Sequence, residues 1–236
     1  MNAVWPQLAA NPLTWLTLTL VVYQAAHWLW RRGRMNPLLN PVLLSIATIS
    51  AILTLTGIDY ARYFSGAHLL HFLLGPATVA LAIPLYRQLG QLLRSVWALA
   101  AGLLAGSVAA ILASLALGWG LGASRQTIMS LAPKSVTSPI AMGIAEQIGG
   151  LPSLTAVLVI LTGIAGAVGG GWLLDRLHVH DDRARGVAMG TAAHGIGTAR
   201  ALQMGEVTGA FSGLAMGLNG IATALLTPVL VKWLMG

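Results

Sequence analysis

A chain of 236 residues that is 56% hydrophobic and 8% charged cannot clothe a soluble fold, in which roughly 25% of residues carry charge, so lipid is its solvent. Its net charge of +7 fits basic loops on one face of a membrane protein, and no basic patch interleaved with aromatics points to nucleic acid. Cysteine is absent, which excludes disulfides, thiolate chemistry and cysteine metal sites.

The N-terminus has no basic stretch ahead of its apolar run, so a retained helix is expected rather than a cleaved signal. That helix covers 13–30, with Pro12 in its first turn and Trp28 and Trp30 at the interface. Arg31, Arg32 and Arg34 follow, which by the positive-inside rule places this loop in the cytoplasm and the N-terminus outside. A second segment, 38–58, starts at Pro37 and Pro41 and ends at Asp59. A third, 63–86, contains Gly75-Pro76 and Pro84 and is expected to be kinked, ending at Arg87 with Arg94 beyond. The fourth, 95–117, is a plain Leu/Ala helix closed by Gly118, Gly120 and Gly122.

The next stretch, 124–148, carries Ala132-Pro133-Lys134-Ser135-Val136-Thr137-Ser138-Pro139 between apolar flanks. Proline removes a backbone donor and disfavours helix in the residue before it, so a helix breaks near Pro133 and restarts around Ser135. Backbone groups freed in lipid must be satisfied by protein, water or a ligand. A restarted helix offers bare N–H groups and partial positive charge. Lys134, Ser135, Thr137 and Ser138 add a full charge and hydroxyl donors, so the stretch reads as half of a site for a small anion. The plainer alternative is a kinked helix whose hydroxyls bond back to carbonyls and whose lysine snorkels.

Segment 152–174 is glycine-rich, as close helix packing requires, and the loop 175–185 is the most polar of the chain. If 124–148 spans fully, that loop falls outside; if it re-enters, the loop falls inside, which its arginines favour. Segment 186–204, whose full crossing is equally open, contains Ala193-His194-Gly195-Ile196-Gly197-Thr198-Ala199-Arg200. Gly195 and Gly197 loosen a helix, and His194 and Arg200 are ionisable groups that favour a bundle interior or wet cavity. An arginine can grip a carboxylate, and a histidine can carry a proton. Helix packing by His194 and snorkelling by Arg200 are the structural alternatives. Segment 207–234 carries Gly209, Gly213 and Gly217 four apart, a candidate assembly face.

Glu146, Glu206 and His194 are the candidates for a coupling ion, although both glutamates could be solvated loop residues. His68 with His71, and His178 with His180, lack partners for a metal site, and neither metal nor cofactor is expected. No G-x-S-x-G, H-E-x-x-H or P-loop pattern occurs, so the chain is not expected to be an enzyme. Leu74-Gly75-Pro76-Ala77-Thr78-Val79 echoes Leu131-Ala132-Pro133-Lys134-Ser135-Val136, a hint of pseudo-repetition of the kind that places transporter sites between repeats. The fold expected is therefore an all-α polytopic membrane protein, one domain over 1–236. It has seven or eight transmembrane segments with interrupted or re-entrant helices, 1–120 forming a scaffold half and 121–236 a substrate-site half.

The two long motifs, Pro133 to Ala141 and Ala193 to Arg200, resemble signature stretches of the LrgB/CidB membrane protein family. Leu74 to Ala82 and Glu146 to Gly150 are similar to that family too, with Ser138 standing where a threonine is expected. The resemblance implies kinship with the membrane domain of plastid glycolate/glycerate transporters. It also implies an antiholin- or holin-like role affecting murein hydrolase activity and lysis, and links to pyruvate or other small carboxylates. A separate small LrgA/CidA-type membrane partner is implied, in the cell inner membrane. The combined expectation is a transporter of small monocarboxylates, likened to glycolate, glycerate or pyruvate, that self-associates in the bilayer. Its anion is held by Lys134, Ser135, Thr137, Ser138, His194, Gly195, Gly197, Thr198 and Arg200. The alternative is the holin/antiholin-like role.

Overall fold

The computed structural model describes residues 11–33, 36, 39–80 and 82–235, all helix and connecting turns with no strand among them. Arg34, Pro37 and the residues before 11 lie outside the described residues, as do the side chains of Leu74, Gly75 and Thr78 in the internal echo. The chain divides into two compact units, 1–80 and 81–236.

The first unit holds α1 (Pro12–Arg32), α2 (Pro41–Thr56) and α3 (Tyr60–Ala80). Asn11 and Asn40 cap α1 and α2 with their side-chain oxygens, each followed by a proline whose missing N–H costs nothing in the first turn. α1 packs on both neighbours around buried Trp15, and Gly66 of α3 lies against the Pro12 backbone. α3 runs helical through Pro76. The echo with Pro133 is therefore one of sequence and not of backbone.

The second unit begins with the short α4 (Ala82–Arg87) and α5 (Leu89–Arg94) and continues with α6 (Val96–Gly120), α7 (Arg125–Leu131), α8 (Ser138–Gln147), α9 (Pro152–Arg176), α10 (Asp182–Met204) and α11 (Glu206–Met235). Among the described residues α6, α9 and α11 are the helices long and apolar enough to cross a membrane. The division at residue 80 puts α6 with the C-terminal helices, so the residues up to 120 are not one separate half.

Between these long helices the chain doubles back twice. Ile128 of α7 packs on Gly118, near the end of α6. Ser130 of α7 accepts a hydrogen bond from Leu151 N (2.8 Å) and through its carbonyl from Thr155 (3.0 Å), at the start of α9. A chain crossing from 125 to 151 would set those residues a bilayer apart, so α7 and α8 form a re-entrant hairpin. It enters from the end of α6 and leaves at the start of α9. α10 does the same from the other face. It is helical on either side of Ala193 (φ −131°) and His194 (φ 41°, ψ −135°), where the chain reverses. Gly197 faces the Met189 carbonyl, Met189 packs with Ala201, and Gly186 and Gly190 of the first arm lie against the α11 backbone opposite 208–216. Thr208, at the start of α11, donates to Asp182, at the start of α10 (3.2 Å). Both ends of α10 therefore share one level.

The layout is thus a long helix followed by a hairpin, α6 then α7–α8, and an inverted copy, α9 then α10, completed by α11. Re-entry of 124–148 puts the 175–185 loop on the α5 side, where Arg183 reaches Ser95 (3.2 Å) and Arg87 meets Glu206 (3.4 Å).

Candidate functional site

The two reversals meet at one side chain. Asn219 of α11 is completely buried. Its amide nitrogen donates to the Thr191 carbonyl at 3.0 Å and, at the long end of hydrogen-bond range, to the Ser135 carbonyl at 3.4 Å. Thr191 precedes the α10 reversal and Ser135 lies in the 132–137 reversal between α7 and α8. The amide oxygen accepts from Ser107 of α6 (2.5 Å) and from Thr223 (3.3 Å). Asn219 thus spends both donors on carbonyls at the two helix interruptions, where lipid-buried backbone needs partners.

Two hydroxyls at the same junction have no partner. Ser135 Oγ and Thr191 Oγ1 are buried and unbonded, on the two residues whose carbonyls Asn219 holds. A buried polar group left unpaired costs about 1–3 kcal/mol, so these two are the natural places for a guest. The neighbouring Lys134 is half-buried, and its ammonium donates to Ser114 of α6 at 2.5 Å. Ser107 and Ser114 are seven residues apart on one helix, so the ammonium and the Asn219 amide lie about 10 Å apart along α6. Thr137 caps α8 by backbone position, with no side-chain bond, and Ser138 begins that helix. The break thus runs through 132–137, and the helix restarts at Ser138, three residues later than Pro133 alone suggests.

The second motif is organised differently from its sequence. The reversal falls on Ala193 and His194 and not on Gly195 or Gly197. Gly195 is exposed, whereas Gly197 is buried and lets the two arms of α10 touch. His194 Nε2 lies 2.9 Å from the Val159 carbonyl and its ring covers Gly163 of α9, a packing and anchoring arrangement. Thr198, on the return arm, shares a hydrogen bond with Ser212 of α11 (2.9 Å). Arg200 bonds Gln203 (3.2 Å), six residues and about 9 Å beyond the tip. It therefore points to the α5 side and is not brought beside Lys134. Glu146 is exposed, and Glu206 is an exposed partner of Arg87. Neither glutamate sits at the junction.

Sequence reading missed Asn219, Thr191, Ser107 and Ser114. The signal was present: Asn219 is the only asparagine after residue 40. With Thr208, Ser212, Thr223 and Thr227 it forms a wholly buried polar file along α11 at helical spacing. Among the described residues no group of three or more His, Asp or Glu side chains could hold a metal ion.

The LrgB-like family model matches residues 19–233. Two relatives from Bacillus subtilis (strain 168) carry the names uncharacterized protein YwbG and uncharacterized protein YxaC. The first is 37% identical, over 93% of this chain and 97% of its own length. The second is 34% identical, over 97% and 98%. The antiholin-like protein LrgB of the same organism is 30% identical over 96% of this chain and 98% of its own. No solved structure matches.

Proposed function

We propose that this chain, which belongs to the LrgB-like family, is a multi-pass membrane transporter that carries small monocarboxylates through its C-terminal unit without a chemical step of its own. The observation that carries the reading is the meeting of two opposed re-entrant hairpins at Asn219, with two unpartnered buried hydroxyls at the junction and an ammonium about 10 Å along α6. Secondary transporters use interrupted helices at mid-membrane in this way. The Lys134 ammonium takes the carboxylate, and the Ser135 and Thr191 hydroxyls, toward Asn219, meet the other end of the acid. Its size is limited by the roughly 10 Å between the Lys134 ammonium and the Asn219 amide, which suits acids of two or three carbons. The arginine-bearing face formed by Arg87, Arg94, Arg176, Arg183 and Arg185 is cytoplasmic, with the N-terminus outside, in the cell inner membrane. A small LrgA/CidA-type protein is its proposed partner.

The second reading is an antiholin-like protein that modulates murein hydrolase activity and lysis. The name of the LrgB relatives favours it. Proteoliposomes separate the two. A transporter gives saturable glycolate or pyruvate uptake that Lys134→Ala abolishes; a holin-type assembly gives large, unselective leakage indifferent to Lys134. Glycine-mediated assembly along α11 has less surface than its spacing suggests, because Gly209 is already packed against Leu202 of the same chain.

A further inference from the structure

A cavity of about 710 Å³ lies between α6 and the first arm of α10. Its walls are built from small residues one helical turn apart: Ala98, Gly102, Gly106 and Ala110 on α6, and Ala184 and Ala188 on α10. At its mouth Arg183 bonds Ser95 (3.2 Å) and pairs with Asp181 (2.6 Å). At its inner end is Thr191, whose methyl group rests on Gly106 and whose buried hydroxyl has no partner. The mouth therefore carries an ion pair and the floor an unused hydrogen-bond group, with uncharged walls between. The floor is also the residue whose carbonyl Asn219 holds.

We infer that this cavity is the aqueous path by which a small carboxylate reaches the helix reversals from the arginine-bearing face, with Arg183 its outer contact and Thr191 its inner one. This rests on the transport reading above. A hydrated anion fits better than an acyl chain or a packed helix for two reasons. The unpartnered hydroxyl and interrupted backbone at the floor both require polar company. The Arg183 guanidinium at the entrance, held in an ion pair with Asp181, offers an arriving anion a charged partner by exchange. Arg183 keeps its own carboxylate partner, Asp181, as the ligand that an arriving anion exchanges with. Small side chains leave the room, and an ideal Cβ at Gly102 meets nothing within 4 Å.

The absence of cysteine makes the test direct. Single cysteines are placed at Gly102, Ala188 and Thr191, and at Leu161 of α9, whose side chain is exposed on the apolar surface. Purified variants in proteoliposomes are treated with a small anionic methanethiosulfonate, a cationic one and an apolar maleimide. The expected result is that the anionic reagent modifies 102, 188 and 191 at least about tenfold faster than 161, and that millimolar glycolate or pyruvate slows the reaction at 188 and 191. Arg183→Gln slows the anionic reagent several-fold and leaves the cationic one unslowed. Modification of 102, 188 and 191 by the apolar reagent alone, as at 161, overturns the inference and points to a groove filled by lipid or helix. Charged-reagent labelling unaffected by either acid also overturns it, leaving a water crevice with no carboxylate in it. Failure of the transport reading looks different: labelling and protection persist while Lys134→Ala leaves uptake unchanged.

Discussion

The amide of Asn219 donates to the carbonyl of Thr191 at 3.0 Å. That bond ties the first arm of one hairpin to α11, which is itself tied to the other hairpin through the Ser135 carbonyl and to α6 through Ser107. Asn219→Leu leaves two carbonyls and two hydroxyls without their partner. A loss of about 1–3 kcal/mol of stability is expected, read as a lower apparent Tm in detergent. Asn219→Asp should cost more, since a carboxylate cannot donate to either carbonyl. Equal stability of all three proteins would show that the junction does not depend on this amide.

The hairpin of α10 is pressed against α11 through glycines. A Cβ at Gly190 would collide with the Ser212 carbonyl, whereas one at Gly217 meets nothing. Gly190→Ala should therefore destabilise by about 1–3 kcal/mol. Gly217→Ala should be neutral or gain up to about 1 kcal/mol from helix propensity. Denaturant or thermal melts of the pair measure the contrast.

His194 holds a left-handed backbone (φ 41°, ψ −135°) at the reversal, which costs a residue with a Cβ about 1–2 kcal/mol. Its ring recovers part of this through Val159 and Gly163. His194→Ala loses the ring and keeps the strain, so it should be the less stable of the pair His194→Ala and His194→Gly, by about 1 kcal/mol. The opposite order would mean that the reversal is not set by this residue.

Much of the site was legible because proline and lysine are loud signals. The 132–137 reversal is readable from Pro133, and Lys134 and Ser135 lie within it. The second reversal was only half readable, since Gly195 and Gly197 drew attention one to three residues past the turn that His194 makes. Arg200 is close to His194 along the chain and not in space, since a helix arm carries it about 9 Å from the reversal. Re-entry cannot be told from crossing by hydropathy, as an apolar hairpin and an apolar span have the same composition. Asn219 was overlooked because an uncharged amide does not interrupt an apolar run.

Asp181 caps α10 by accepting from the Arg183 and Ala184 N–H groups (2.9 and 3.1 Å) and pairs with the Arg183 guanidinium. The Arg183 side chain, followed by the helix N–H groups, holds its carboxyl well below the usual range, at about 2 against 3.8. A depressed carboxylate pKa contributes stability that is fully present above the unfolded value and is lost as pH falls toward the folded one. The contribution should be constant above about pH 5 and fade between about pH 4 and pH 2. Because the pair is exposed, its size is small. Asp181→Asn retains a capping side chain and should flatten that acid limb by slightly lowering the melting temperature at neutral pH toward its acid value. An unchanged acid limb would place the titration elsewhere.

The most direct measurement is equilibrium binding of glycolate and pyruvate to the purified protein by calorimetry, comparing Lys134→Ala, Ser135→Ala and Arg200→Ala with the unaltered chain. Saturable binding should weaken about 10- to 100-fold in Lys134→Ala, the worth of a charge-assisted hydrogen bond, fall less in Ser135→Ala, and persist in Arg200→Ala. Binding that is absent from the unaltered protein, or that survives Lys134→Ala and vanishes with Arg200→Ala, would contradict an anion site at the meeting of the two hairpins.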